Sequence, residues 1–139
     1  MIVKVKKLND KAVIPFKKHD SDFCYDVVAT SCEEIAPNVY KYGTGLAFQI
    51  MRGFEPIRQE RENLWETIDF ASSAMQLSFD FRPRSSVWET GMVLANCTGT
   101  IDEDYRGEVS AIFYHIFPDM PIYKVGDRIG QIKIGATLP

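Results

Sequence analysis

Positions 96–108 (NCTGTIDEDYRGE) carry an amide, several carboxylates, an aromatic ring and two glycines within thirteen residues. Asn96, Thr98 and Gly99 are turn formers, Thr100 and Ile101 favour extended backbone, and positions 104–107 form a second polar break. This spacing predicts a β-hairpin whose arms hold Asn96, Asp102 and Tyr105 on one small curved surface. An amide, a potential general base and a flat ring would there meet one ligand, a combination that suits a nucleoside. An Asp and a Tyr beside a Gly turn are also ordinary hairpin composition, so the stretch by itself leaves a purely structural hairpin open.

A second group of residues has phosphate chemistry. In Pro83 to Ser86 (PRSS) a guanidinium, two hydroxyls and exposed backbone amides share one turn and can bind phosphate oxygens through charge-assisted bonds. The same four letters also suit an ordinary surface loop. Asp26, after a polar loop and at the head of an apolar run, reads by itself as a strand-edge Asp capping a turn. His19 has no companion at ligand spacing and His115 sits in an apolar strand, so both read as structural. Cys24, Cys32 and Cys97 are odd in number and match no zinc or redox spacing, which predicts reduced thiols used as small packing residues.

Short strands must position these groups. Ile2, Val3 and Val5 alternate with Lys4 and Lys6, the period-2 pattern of a strand with one wet face, and positions 13–15 continue it until Pro15. Positions 32–39 read as a loop or hairpin turn, 42–50 as a strand, and 77–81 (LSFDF) as an alternating strand leading into PRSS. Positions 92–95 read as a buried strand delivering Asn96, and 109–117 as a mostly apolar one. Gly126 and Asp127 mark a turn between two further strands, with Asp127 and Arg128 expected to form an ion pair. Positions 51–78 form an insertion in which Leu64, Trp65, Ile68, Ala71 and Met75 recur at helical spacings, predicting a helix near 58–74; a longer hairpin is the alternative. About ten short strands broken by Gly, Pro, Asn and Asp argue an all-β fold, a barrel or jelly roll.

The 139 residues fit one domain, able to bury roughly two thirds of its unfolded-chain surface. Charged residues make up 25% and the net charge is −3, which offers no basic field for a nucleic-acid polymer. The basic start alternates instead of forming a signal-peptide block, and no run approaches a membrane span, so a cytoplasmic protein is expected.

GTIDEDYRGE (99–108) resembles the third motif of the trimeric dUTPase family, and three more of that family's five motifs surround it in order. DFCYDVVA (22–29) resembles the first, with Tyr25, Asp26 and Ala29 matching and Phe23 and Cys24 standing for a small residue and a glycine. TGLAFQI (44–50) resembles the strand that follows it, PRSS the second motif, and GDRIGQ (126–131) the fourth, with Gly130 for the usual Ala. The fifth motif, a glycine-rich closing arm, has no counterpart in these residues. Closure then falls to another element such as the insertion, or to chain beyond them.

The resemblance implies a distorted jelly-roll β-barrel and a homotrimer with three sites where subunits meet. It implies that water attacks the α phosphorus of dUTP, giving dUMP and pyrophosphate, with Asp102 orienting and deprotonating that water. Asp26 would hold Mg2+ through ordered water, and Arg84, Ser85, Ser86 and Gln131 would contact the phosphates. Asn96 and the backbone of Gly99 and Ile101 would pair with the uracil edge, while Tyr105 packs under the deoxyribose and leaves no room for a 2′-hydroxyl. Two other readings stay open: a dCTP deaminase of the same superfamily, and a non-catalytic relative that binds a nucleotide or a protein partner.

Overall fold

The computed structural model describes residues 2–51 and 76–137. The helix expected near 58–74 lies outside the described residues. Within them the chain forms ten strands and one short 3-10 helix, Ser85–Glu89. The strands are β1 (Ile2–Lys7), β2 (Tyr25–Val28), β3 (Ser31–Ala36), β4 (Val39–Gly43), β5 (Leu46–Met51), β6 (Gln76–Arg82), β7 (Met92–Leu94), β8 (Gly99–Asp102), β9 (Ser110–His115) and β10 (Arg128–Thr137). All pairings are antiparallel: β1 with β5, a four-stranded sheet in the order β2-β10-β6-β8, and a second in the order β3-β4-β9-β7. The all-β expectation holds.

Alternation in the sequence decides which face goes inward. In β6 Phe79 and Phe81 are buried while Ser78, Asp80 and Arg82 alternate with them; in β9 Ala111 and Phe113 are buried between Ser110, Ile112 and Tyr114. These inner faces, with Val27, Tyr42, Leu46, Phe48, Met92, Leu94, Ile129 and Ile132, make one core. Each such large side chain stabilises by roughly 1.5–3 kcal/mol on burial. Edge-on contacts join the rings of Tyr42, Phe113 and Tyr123, and Tyr42 Oη donates to the Tyr123 carbonyl at 2.7 Å. Burial pushes the Tyr42 and Tyr123 hydroxyls above the ordinary tyrosine range, so both stay protonated.

Several local expectations are corrected. Positions 13–15 do not extend β1: Asn9 turns the chain by accepting a bond from the Lys11 amide, and Val13 and Ile14 are exposed. Positions 32–39 are mostly strand, with the turn at Pro37 and Asn38, where Asn38 takes φ 60°, a left-handed conformation that Asn tolerates. Cys32 and Cys97 are exposed and not packed; all three cysteines are free thiols. His115 is structural, its Nε2 lying 2.9 Å from the Met120 carbonyl oxygen. No helix among the described residues is long and apolar enough to cross a membrane.

Candidate functional site

The segment 96–108 is not a hairpin with two mutually paired arms. β7 pairs with β9 in one sheet, β8 pairs with β6 in the other, and the chain crosses between the sheets at Asn96 and Cys97. Cys97 at φ 59° and a Thr98 amide bonded to the Asn96 carbonyl make that crossing tight. After Asp102 the chain turns, the Tyr105 amide donating to the Asp102 carbonyl at 3.1 Å, and returns to Val109, whose amide donates to the Leu46 carbonyl at 2.8 Å. Two features lock the turn. Arg106 Nη1 donates to the carbonyls of Glu103 (2.6 Å) and Tyr105 (3.3 Å), and the Tyr105 hydroxyl donates to the Glu108 carbonyl at 3.0 Å. The ring lies so close to Gly107 that a Cβ there would stand 2.7 Å from Tyr105 Cζ, which accounts for the glycine.

This crossing encloses a recess of about 220 Å³ lined by Asn96, Gly99, Ile101, Asp102, Tyr105 and Glu108, with Phe81 and Thr100 among the remaining walls. Whole small-molecule sites run to about 300–1,000 Å³, so the recess suits one part of a ligand. The residues expected there to meet a ligand, Asn96, Gly99, Ile101, Asp102 and Tyr105, therefore all line it. Phe81 and Glu108 were missed as walls; Phe81 reads only as a core position of an alternating strand. Asp102 also borders a more open hollow with Gln76, Leu77, Glu103, Asp104 and Arg106.

The second group assembles around Asp26. Arg128 Nη1 donates to Asp26 Oδ2 at 2.9 Å, and Arg84 Nε stands 3.6 Å from Oδ1. The Asp127–Arg128 ion pair expected from sequence is not formed. Asp127 instead accepts from the Lys124 amide at 2.7 Å and closes the turn at Gly126 (φ 94°), which docks on Ala29. A bulge between Arg128 and Gly130 in β10 lets Arg128 reach Asp26 while Ile129 and Gly130 stay buried. Gln131 Nε2 donates to the Pro83 carbonyl at 3.0 Å, tying β10 to the turn that carries Arg84, Ser85 and Ser86. Two arginines against one carboxylate leave this group with a positive excess, beside two hydroxyls and an amide, a donor set suited to a polyanion.

Strand register relates the two groups. Directly opposed residues share a sheet face, and Asp102 opposes Ser78 while Gln131 opposes both Arg82 and Asp26. Asp102, Gln131 and Asp26 therefore project from the same face, away from Phe79 and Phe81. Four residues of β6 separate the two rows, about 13 Å at ~3.3 Å per residue, and β8 lies two strands from β10, about 9.6 Å. Within one chain Asp102 and Gln131 are thus about 16 Å apart, too far to touch one phosphorus.

No protein-family model matches the chain. The computed fold resembles that of a dUTPase of Staphylococcus bacteriophage 80alpha, with a TM-score of 0.69 and 19% identity over 99% of this chain and 84% of that one. It also resembles the dUTPase of phage phi11 of S. aureus, described with a structural Mg(II) ion, with a TM-score of 0.69 and 17% identity over 100% and 93% of the two chains. In sequence the chain is 35% identical to the deoxyuridine 5'-triphosphate nucleotidohydrolase of Helicobacter hepaticus over 137 residues, 96% of this chain and 72% of that protein. It is 31% identical to the enzyme of the same name from Nautilia profundicola over 140 residues, 99% of this chain and 82% of that protein. On an all-β frame and with identities of 35% and 31% over most of both relatives, the chain belongs to the deoxyuridine 5'-triphosphate nucleotidohydrolase (dUTPase) family.

Proposed function

We propose that this chain hydrolyses dUTP to dUMP and pyrophosphate, by attack of water on the α phosphorus with Asp102 as the general base. The observation that carries the reading is the pairing of a base-sized recess, with Asp102 on its wall, with a cationic, hydroxyl-bearing turn anchored by Asp26 and Gln131, which share the sheet face of Asp102. Asn96 and the backbone of Gly99 and Ile101 bind the uracil edge, where cytosine presents a donor in place of an acceptor. Buried mismatches of that kind discriminate by about 10⁴–10⁵. Tyr105, held over Gly107, packs against the deoxyribose and excludes a 2′-hydroxyl. Arg84, Ser85, Ser86 and Gln131 hold the phosphates and steady the charge that moves on to the leaving pyrophosphate.

A general base and a phosphate clamp about 16 Å apart on one chain do not serve one phosphorus, so the reading includes a homotrimer in which Asp102 of one copy faces the Arg84 turn of the next. Heterologous contacts of this kind close into rings. Among the described residues no three His, Cys, Asp or Glu side chains form a cluster that would cage a metal. That fits Mg2+, which keeps its waters and takes ligands from substrate phosphates. Asp26 would hold it through water, since a carboxylate has about four acceptor positions and the two arginines occupy two. When bound, the ion neutralises charge on the triphosphate.

Pyrophosphate release from dUTP, dCTP, UTP and dTTP with Mg2+, with ammonia measured in parallel, tests the activity. Turnover of dUTP alone is expected. Ammonia from dCTP would replace the reading with a deaminase, and dUTP binding without turnover would replace it with a non-catalytic nucleotide binder.

A further inference from the structure

Phe81 is a buried β6 residue, 2% exposed, that lines the recess from within the core. It opposes Gly99 on β8 and Ile132 on β10, with Gly130 diagonal to it on the same face. Glycine therefore flanks the ring on both sides. A Cβ built on Gly99 would stand 3.5 Å from Phe81 Cβ, an ordinary contact. One built on Gly130 would overlap the tip of the ring, 2.6 Å from Cε1 and 2.8 Å from Cε2.

Neither glycine is needed for its backbone angles, because positive φ among the described glycines occurs at Gly45 and Gly126. What Gly130 supplies is room for the ring. The ring tip occupies the space that a methyl at 130 would take, so ring and glycine form a matched pair. Any methyl at 130 must push the ring, and the other vacant Cβ position beside Phe81 is that of Gly99, at the recess.

We propose that Phe81, seated over Gly130, is a specificity-determining residue that sets the depth of the recess and so rejects pyrimidines larger than uracil. This rests on the reading of the recess as the base site. Thymine differs from uracil by one methyl group, and a pocket wall discriminates one such carbon by about 10–200-fold.

The test is steady-state kinetics on dUTP and dTTP for four variants of the full chain. Phe81→Leu keeps an apolar side chain in the core but shortens it. The ratio of kcat/KM for dTTP to that for dUTP is expected to rise at least about 10-fold, and an unmoved ratio overturns the inference. Gly130→Ala should displace the ring into the recess and raise KM for dUTP about 10-fold or more, and Phe81→Val combined with Gly130→Ala should bring KM back down. A Gly130→Ala protein that melts earlier but keeps its KM would show that the ring is packing alone, which also overturns the inference. Asn96→Ala separates the two layers. If it leaves KM for dUTP unchanged, the base-site reading itself fails; if it raises KM while Phe81→Leu leaves the ratio unmoved, the present inference alone fails.

Discussion

Mixing two inactive variants tests the divided site directly. Asp102→Asn removes the general base, and Arg84→Ala removes a cation of the phosphate turn on the other half. Each alone is expected to be nearly inactive, the first by ~10²–10⁴-fold. If Asp102 and Arg84 served a site within one chain, every site in a mixed oligomer would carry one lesion or the other. If each site takes Asp102 from one copy and Arg84 from its neighbour, a site is intact when the first comes from an Arg84→Ala chain and the second from an Asp102→Asn chain. For random equimolar assembly each condition holds half the time, so about a quarter of wild-type activity returns in the unselected mixture, and about a third in trimers purified through both tags, each of which has one intact site.

The structural basis is the strand register. Closing the separation within one chain would need β8 to slide four residues along β6 (Ser78↔Asp102 becoming Arg82↔Asp102) and still leave β10 two strands away. The assay is pyrophosphate release after the two proteins, carrying different affinity tags, are unfolded together, refolded and purified through both tags. Background activity in oligomers that carry both tags would refute the divided site.

Four further outcomes follow from the geometry. Asp102→Asn should bind dUTP with near wild-type affinity in calorimetry while losing turnover, because Asn keeps the shape of the recess wall; retained turnover removes Asp102 as the base. Tyr105→Ala should admit UTP, raising its kcat/KM relative to dUTP, and continued exclusion would assign the sugar contact elsewhere. Tyr42→Phe strips the donor from the buried Tyr123 carbonyl and should cost about 1–3 kcal/mol in urea unfolding. By contrast Tyr123→Phe should be neutral or stabilising, because the Tyr123 hydroxyl is buried with no hydrogen-bond partner among the described residues; a loss above about 1 kcal/mol would mean that a water or a neighbour satisfies it.

Much of the frame was legible because strands announce themselves by alternation. Residues 77–81 alternate and 109–117 read as a mostly apolar strand, and their Phe79, Phe81, Ala111 and Phe113 are core. The recess was legible too, since Asn96, Gly99, Ile101, Asp102 and Tyr105 lie close in sequence and reach one wall without long-range information. What was illegible depended on pairing. Whether β8 pairs with its own polar return arm or with β6 is a tertiary choice, and pairing with β6 sets Ile101 opposite the buried Phe79. The partner of Arg128 was illegible for the same reason: Asp127 is adjacent in sequence, but the bulge in β10 aims Arg128 at Asp26, 102 positions away.

Departures from the motif strings differ in cost according to where they fall. Phe23 and Cys24 replace a small residue and a glycine, yet Phe23 is 75% exposed, with the Lys133 ammonium 5.7 Å from its ring centroid. A bulky side chain there meets solvent and a flexible lysine, so the replacement needs no partner. Gly130 lies in a close-packed interior, where removing even one methyl leaves a void that must be filled or endured. The tip of the Phe81 ring fills it. An exchange at a buried position is therefore tied to its neighbour and an exchange at the surface is not. Because this particular neighbour is also a wall of the recess, a packing adjustment in the core borders the recess as well.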